Sequence, residues 1–228
     1  PSCTSELMTG LAKLAKEYDV PVQSHLSENH GEIDWVASLH PESSNYTDVY
    51  YEHHLMGTVP TVMAHCIHLS DVEMDRMAET QTMVSHCPYS NVNLSSGIAP
   101  IRKLIERNIP IGLGSDISGG HIVSMAKVLT EAIGLSKMKW AEVDPNYAPL
   151  TLSEAFYMAT KGGGQFFGHV GSFEKGYELD ALIIDDTSLF DPNERSLEER
   201  LERWLYVGDD RHIIERYVAG RVVPSPKG

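Results

Sequence analysis

The chain has 228 residues, 42% hydrophobic and 22% charged, a balance that sustains a packed core and excludes disordered and fibrous classes. Its formal net charge of -14 argues against nucleic acid as a partner, because displacing phosphate counterions takes clustered Lys and Arg. No long apolar run and no basic, apolar signal-peptide start occurs, so a membrane partner is not expected and the cytoplasm is the default; the widely spaced Cys3, Cys66 and Cys87 fit a reducing compartment.

From residue 5 to about residue 140, amphipathic helices alternate with short apolar strands, the rhythm of βα units around a parallel sheet. The first helix is predicted over residues 5–17, capped by Thr4 or Ser5, with Leu7, Leu11, Leu14 and Ala15 on its apolar face. A strand follows through Val20, Val22 and Ser24 to His25, a second over residues 61–65 and a third over residues 82–86. The helix after the second strand opens on the capping box Ser70 with Glu73. A helix with Ile98, Ile101, Leu104 and Ile105 on one face leads to a fourth strand over residues 109–114, ending at Asp116. Thr151 with Glu154 and Ser196 with Glu199 are further capping boxes that start two later helices. Gly162, Gly163 and Gly164 read as a helix break, since the sequence around them lacks the pattern of a P-loop. Runs at residues 179–184 and 213–223 leave the strand-helix rhythm and read as a smaller β region, so the class is α/β with a β appendage.

His25, His65, His86 and Asp116 each fall at or just beyond the C-terminal end of an apolar strand, the edge where parallel α/β folds build their sites. His25 and Glu28 form an HxxE at a strand-to-loop transition; imidazole ligates zinc or ferrous iron, and a carboxylate off the metal can carry protons. Each of these residues also has a bland reading when taken singly. The HxxE could be a surface coincidence, His65 a hydrogen-bonded core histidine, and Asp116 a helix cap or turn aspartate. His86 could be a satisfied core histidine or a group that touches substrate or supports one that does. Their gathering at consecutive strand ends is what points to a site. Gly112 and Gly114 remove side chains from a crowded strand end and permit close backbone approach. His30, His40, His53, His54, His68, His121, His169 and His212 lack a strand-end position and read as structural or surface residues.

The stretches Gln23-Ser24-His25-Leu26-Ser27-Glu28-Asn29, Val62-Met63-Ala64-His65 and Ser85-His86-Cys87-Pro88-Tyr89-Ser90-Asn91 resemble the amidohydrolase superfamily and, within it, its guanine-deaminating family. So do Leu94-Ser95-Ser96-Gly97, Gly112-Leu113-Gly114-Ser115-Asp116-Ile117-Ser118-Gly119-Gly120 and Tyr206-Val207-Gly208-Asp209-Asp210-Arg211. Adenosine-type relatives more often look like LASG and GTDGAASN where this chain has LSSG and GSDISGG. The resemblance implies the C-terminal half of a (β/α)8 TIM-type barrel over residues 1–170, and strands of a small β-sandwich over residues 171–228. It implies one catalytic metal, Zn2+ or alternatively Fe2+, with His25, His65 and Asp116 as ligands. Glu28 would be the proton shuttle and Asp116 would orient the attacking water, while His25, Glu28, His86 and Asp116 would contact substrate.

The implied reaction is hydrolysis of guanine to xanthine and ammonia, in a cytoplasmic homodimer whose partner is a small purine. The family pattern also contains an HxH on the first barrel strand and an Arg-Phe pair that helps hold guanine. Neither lies within these residues, so they are expected to be the C-terminal two-thirds of a longer enzyme and inactive alone. One rival is an amidohydrolase for another amino-heterocycle, such as a triazine, a pterin or another purine. A second is a non-catalytic α/β scaffold with structural histidines. A cytidine-deaminase-type zinc site is ruled out because no PCxxC occurs.

Overall fold

The computed structural model describes residues 1–224, so the last four residues of the expected 171–228 segment lie outside the described residues. In chain order the elements begin α1 (Ser5–Tyr18), β1 (Val22–Leu26), α2 (His30–Leu39), α3 (Tyr46–Glu52), β2 (Thr61–His65), α4 (Asp71–Glu79), β3 (Met83–His86) and α5 (Pro88–Asn93). They continue with α6 (Ile101–Glu106), β4 (Ile111–Leu113), α7 (Met125–Glu142), α8 (Leu152–Tyr157), β5 (Ala181–Ile184), α9 (Leu197–Val207), β6 (Ile213–Val218) and β7 (Arg221–Val222).

Strands β1 to β4 form one parallel sheet in chain order, and β5 to β7 form a separate antiparallel sheet. The α/β class and the smaller β region are therefore as expected. The register pairs His25 with Ala64, Leu26 with His65, Ala64 with Ser85 and His86 with Leu113. Because all four strands run the same way, their C-terminal ends fall on one edge, and the polar residues that follow them are gathered there.

Local chemistry explains the boundaries. Thr4 caps α1 by accepting from Leu7 N, and Asn29 and Asn45 do the same for α2 and α3. The capping boxes at Ser70, Thr151 and Ser196 all form. Leu26, Met63, Val84 and Ile111 bring the sheet into a core shared with Met8 and Ala12 of α1, Met74 and Met77 of α4, Ile101 and Leu104 of α6 and Leu129 of α7. Among the described residues no helix is long and apolar enough to cross a membrane.

The structure corrects two expectations. In α1 the buried residues are Met8, Ala12 and Ala15, while Leu7, Leu11 and Leu14 are 44–50% exposed. The two stripes share the helical repeat and lie side by side. Only one faces the core; Leu11 and Leu14 instead line a cavity of about 520 Å³ with Val20 and Val22 at the β1 edge. Gly162, Gly163 and Gly164 do not break a helix: Met158–Gly162 continues α8 as a π turn, and Gln165–Phe167 follows as a 3-10 turn. Their smallness serves packing: a Cβ on Gly162 would stand 2.9 Å from Ile111 O of β4 and one on Gly164 would collide with Val170 O, while across from Gly163 a Cβ on Gly112 would stand 2.9 Å from Gly163 Cα. The expected freedom for close approach at Gly112 and Gly114 is thus used, Gly114 lying where a Cβ would meet Ser85 Oγ at 2.6 Å.

Candidate active site and metal centre

The strand ends are stitched to one another before any side chain is considered. Beyond β1 and β2, Cys66 N donates to Leu26 O at 3.0 Å, and Ile67 N and His68 N both donate to Ser27 O at 3.1 Å. Gly114 N donates to His86 O at 2.9 Å, tying the end of β4 to that of β3. The turns this requires are tight: Ser27, His65, Cys66 and Asp116 have φ of 49°, 72°, 51° and 43°. Non-glycine residues in the left-handed region store on the order of 1–3 kcal/mol each and cluster where function over-determines the backbone.

His65 stands at the centre. Its Nδ1–H donates to Asn91 Oδ1 at 3.0 Å, which leaves the Nε2 lone pair facing outward from the ring. That Nε2 lies 3.7 Å from Glu28 Oε2 and 3.9 Å from Asp116 Oδ2. The His25 ring stacks on His65 with centroids 5.4 Å apart. Glu28 is held through its other oxygen, where Ser96 Oγ donates to Oε1 at 3.0 Å, while Glu28 N donates to Glu32 Oε2 at 2.9 Å. The structure thus brings His65, Glu28 and Asp116 to one gap, with His25 beside it.

His86, at the end of β3, is buried, and its Nδ1 has no hydrogen-bond partner among the described residues. Burial, with a smaller contribution from His65, pushes its imidazole down to about 3, so it is neutral near pH ~7. The neighbouring thiols are also neutral. Burial drives Cys66 upward and Cys87 up to about 11, so neither offers a thiolate.

With Nε2 bare, an imidazole and two carboxylates facing one gap at 3.7 and 3.9 Å repel one another unless a proton or a metal cation lies between them. Imidazole and carboxylate donors suit zinc and ferrous iron in kind. In number they are incomplete: among the described residues no group of three His, Cys, Asp or Glu side chains is placed to hold an ion. A tetrahedral site would need further donors.

Asn91 and Ser96 escaped sequence reasoning. His68, read as structural or surface, donates from Nε2 to Ser96 O at 2.8 Å and lies against His30 at 4.0 Å between ring centroids. Asn91 and Ser96 are 26 and 68 residues from the groups they hold, and the signal that contained them was the pair of stretches ending Ser90-Asn91 and Ser96-Gly97.

The sequence pattern of the amidohydrolase family matches residues 1–223. The chain is 44% identical over 230 residues to guanine deaminase of Dictyostelium discoideum, a match covering 98% of this chain and 51% of that protein. It is 40% identical over 235 residues to guanine deaminase of Mus musculus, again with 98% and 51% covered. The crystal structure of guanine deaminase from C. acetobutylicum with guanine bound in the active site superposes with a TM-score of 0.95 at 53% identity, covering 98% of this chain and 53% of that one. The chain spans about half the length of the curated relatives it matches, a smaller share than the two-thirds expected.

Proposed function

The chain belongs to the amidohydrolase family, and on that premise we propose that the whole protein hydrolyses guanine to xanthine and ammonia. The observation that carries the reading is the placement of His65 Nε2 between Glu28 and Asp116 at adjacent strand ends. Guanine as substrate is supported by relatives named guanine deaminase at 40–44% identity, one of the similar structures having guanine bound.

In this reading His25, His65 and Asp116 are the side chains that would hold a zinc or ferrous ion, together with donors outside the described set. A bound ion of this kind lowers the pKa of water toward neutrality and so supplies a nucleophile. The chain's own residues do the rest. Asp116 accepts a hydrogen bond from the attacking water and orients it toward the ring carbon that bears the amine. Glu28, its Oε1 occupied by Ser96, uses Oε2 to take a proton from that water and deliver it to the adjacent ring nitrogen, and then assists the departure of ammonia. His86, neutral at the end of β3, is the further side chain this reading assigns to the purine. Residues 1–170 are assigned to the barrel and 171–224 to the small β domain. A cytoplasmic homodimer belongs to the same proposal.

The deciding experiment measures metal content of the whole protein and its formation of xanthine from guanine, beside adenine, cytosine and melamine. About one zinc or iron per chain with turnover of guanine alone is the expected result. A protein that holds metal but ignores guanine would refute the substrate, and one that turns guanine over without metal would refute the metal centre.

A further inference from the structure

We propose that Glu32 and Tyr46 are positioning residues for Glu28: Tyr46 aims the Glu32 carboxylate, and that carboxylate fixes the peptide unit from which Glu28 projects. The inference rests on the proton-carrying role given to Glu28 above and adds the groups that orient its backbone.

The peptide joining Ser27 to Glu28 is held at both poles. Its carbonyl accepts from Ile67 N and His68 N at 3.1 Å, and its N–H donates to Glu32 Oε2 at 2.9 Å. Ser27 is buried at φ 49°, so the chain turns through the left-handed region just before this unit. The donors to the carbonyl are backbone groups that any sequence could supply, whereas the N–H is held by a side chain. The other oxygen of that side chain, Glu32 Oε1, accepts from the Tyr46 hydroxyl at 2.9 Å. A carboxylate that accepts from an amide and a phenol makes charge-assisted bonds, roughly twice as strong as neutral ones.

Glu32 does not sit where helix capping alone would put it. The cap of α2 is Asn29 Oδ1, which accepts from Glu32 N at 2.9 Å. A capping box would return the carboxylate to the Asn29 N–H, as Glu73, Glu154 and Glu199 do at their own caps. Glu32 instead reaches one residue further back, to Glu28 N. Tyr46 is fixed in turn. It is buried at the start of α3 and stacks on Tyr50, one turn later, with ring centroids 5.6 Å apart. The Tyr50 hydroxyl donates to His25 O at 3.1 Å, so α3 holds both ends of the His25–Glu28 segment. Thr47 ties α3 to α4, its N and Oγ1 donating to the buried Glu73 Oε1 at 3.4 and 3.2 Å.

The test uses the whole protein. Hydrogen exchange at the Glu28 amide reads the contact without substrate: Glu32→Ala should exchange about tenfold or more faster than the unsubstituted protein, and equal rates would overturn the proposal. In turnover, Glu32→Ala should lower kcat about tenfold or more with KM and bound metal unchanged. Glu32→Gln, which keeps an acceptor for the amide, should recover to within about threefold. Tyr46→Phe, which removes one hydroxyl, should quicken exchange and lower kcat by about threefold each, and it carries both readouts should Glu32→Ala not fold. Unchanged kcat in these variants overturns the proposal. In a Glu28→Gln background, Glu32→Ala should cost less than about twofold more, because its effect passes through Glu28; a full repeat of the loss there marks Glu32 as merely structural and overturns the proposal. If the unsubstituted protein forms no xanthine, the functional reading falls, and exchange at the Glu28 amide still decides whether Glu32 holds this peptide.

Discussion

At His65 an imidazole with 1% of its surface exposed stands between two carboxylates, Glu28 and Asp116, whose side chains keep 17% and 32% exposure. The gradient separates the roles: the buried group is fixed, and the half-open pair can meet substrate and water. Two substitutions in the whole protein divide ligand from shuttle. Glu28→Gln preserves shape and should keep the metal while lowering turnover by about 10²–10⁴-fold, the usual worth of a general acid-base group. Unchanged turnover would remove its role. His65→Ala should lower metal occupancy, and full occupancy at unchanged affinity would show that it is no ligand. At this scale strand-end position singled out His25, His65, His86 and Asp116 as candidates and the HxxE spacing added Glu28, whereas Asn91 and Ser96, which hydrogen-bond His65 and Glu28, went unread because a neutral amide and a hydroxyl carry no chemistry signal until their partners are known.

Among the elements, β4 and the helical segment after α8 meet at glycines, Gly112 facing Gly163. A Cβ on Gly112 would stand 2.7 Å from Met83 Cε, a flexible end that can move, and 2.9 Å from Gly163 Cα, which cannot without shifting the backbone. Gly112→Ala should therefore cost about 1–3 kcal/mol, read as a lower urea midpoint at unchanged slope. A midpoint equal to that of the unsubstituted protein would show that the segment yields freely. Strand and helix positions were legible beforehand because caps and apolar repeats act within a few residues, as at Ser70, Thr151 and Ser196. The inward face of α1 was not, since adjacent leucine and alanine stripes satisfy the same repeat. Nor was the role of Gly162 and Gly164, because the atoms that leave no room for a side chain there belong to β4 and to Val170.

For the molecule as a whole, acid sensitivity follows from groups placed far apart. Burial lowers His86 from 6.5 to about 3, so between those values the unfolded chain binds a proton that the native chain refuses, and stability falls as pH drops below about 6.5. Glu154 is lowered from 4.5 to about 2, chiefly by the Arg102 guanidinium, which bonds both of its oxygens at 2.7 and 2.9 Å. Its contribution is present above about 4.5 and is lost as pH falls toward about 2; it is modest because the pair is partly solvated. The metal-free protein should thus show a falling urea midpoint between about pH 7 and about pH 5, and His86→Gln should abolish most of that slope. A slope that persists in the variant assigns it to other groups. The sequence by itself determined the α/β class, the four strands, the caps and the family, because hydrogen-bond capping and apolar periodicity are written in neighbouring residues. Only the tertiary structure decided which oxygen of Glu28 faces His65, which nitrogen of His65 is left open and which stripe of α1 is buried. Those choices depend on atoms that the chain brings together from 26 to 68 residues away and across the sheet.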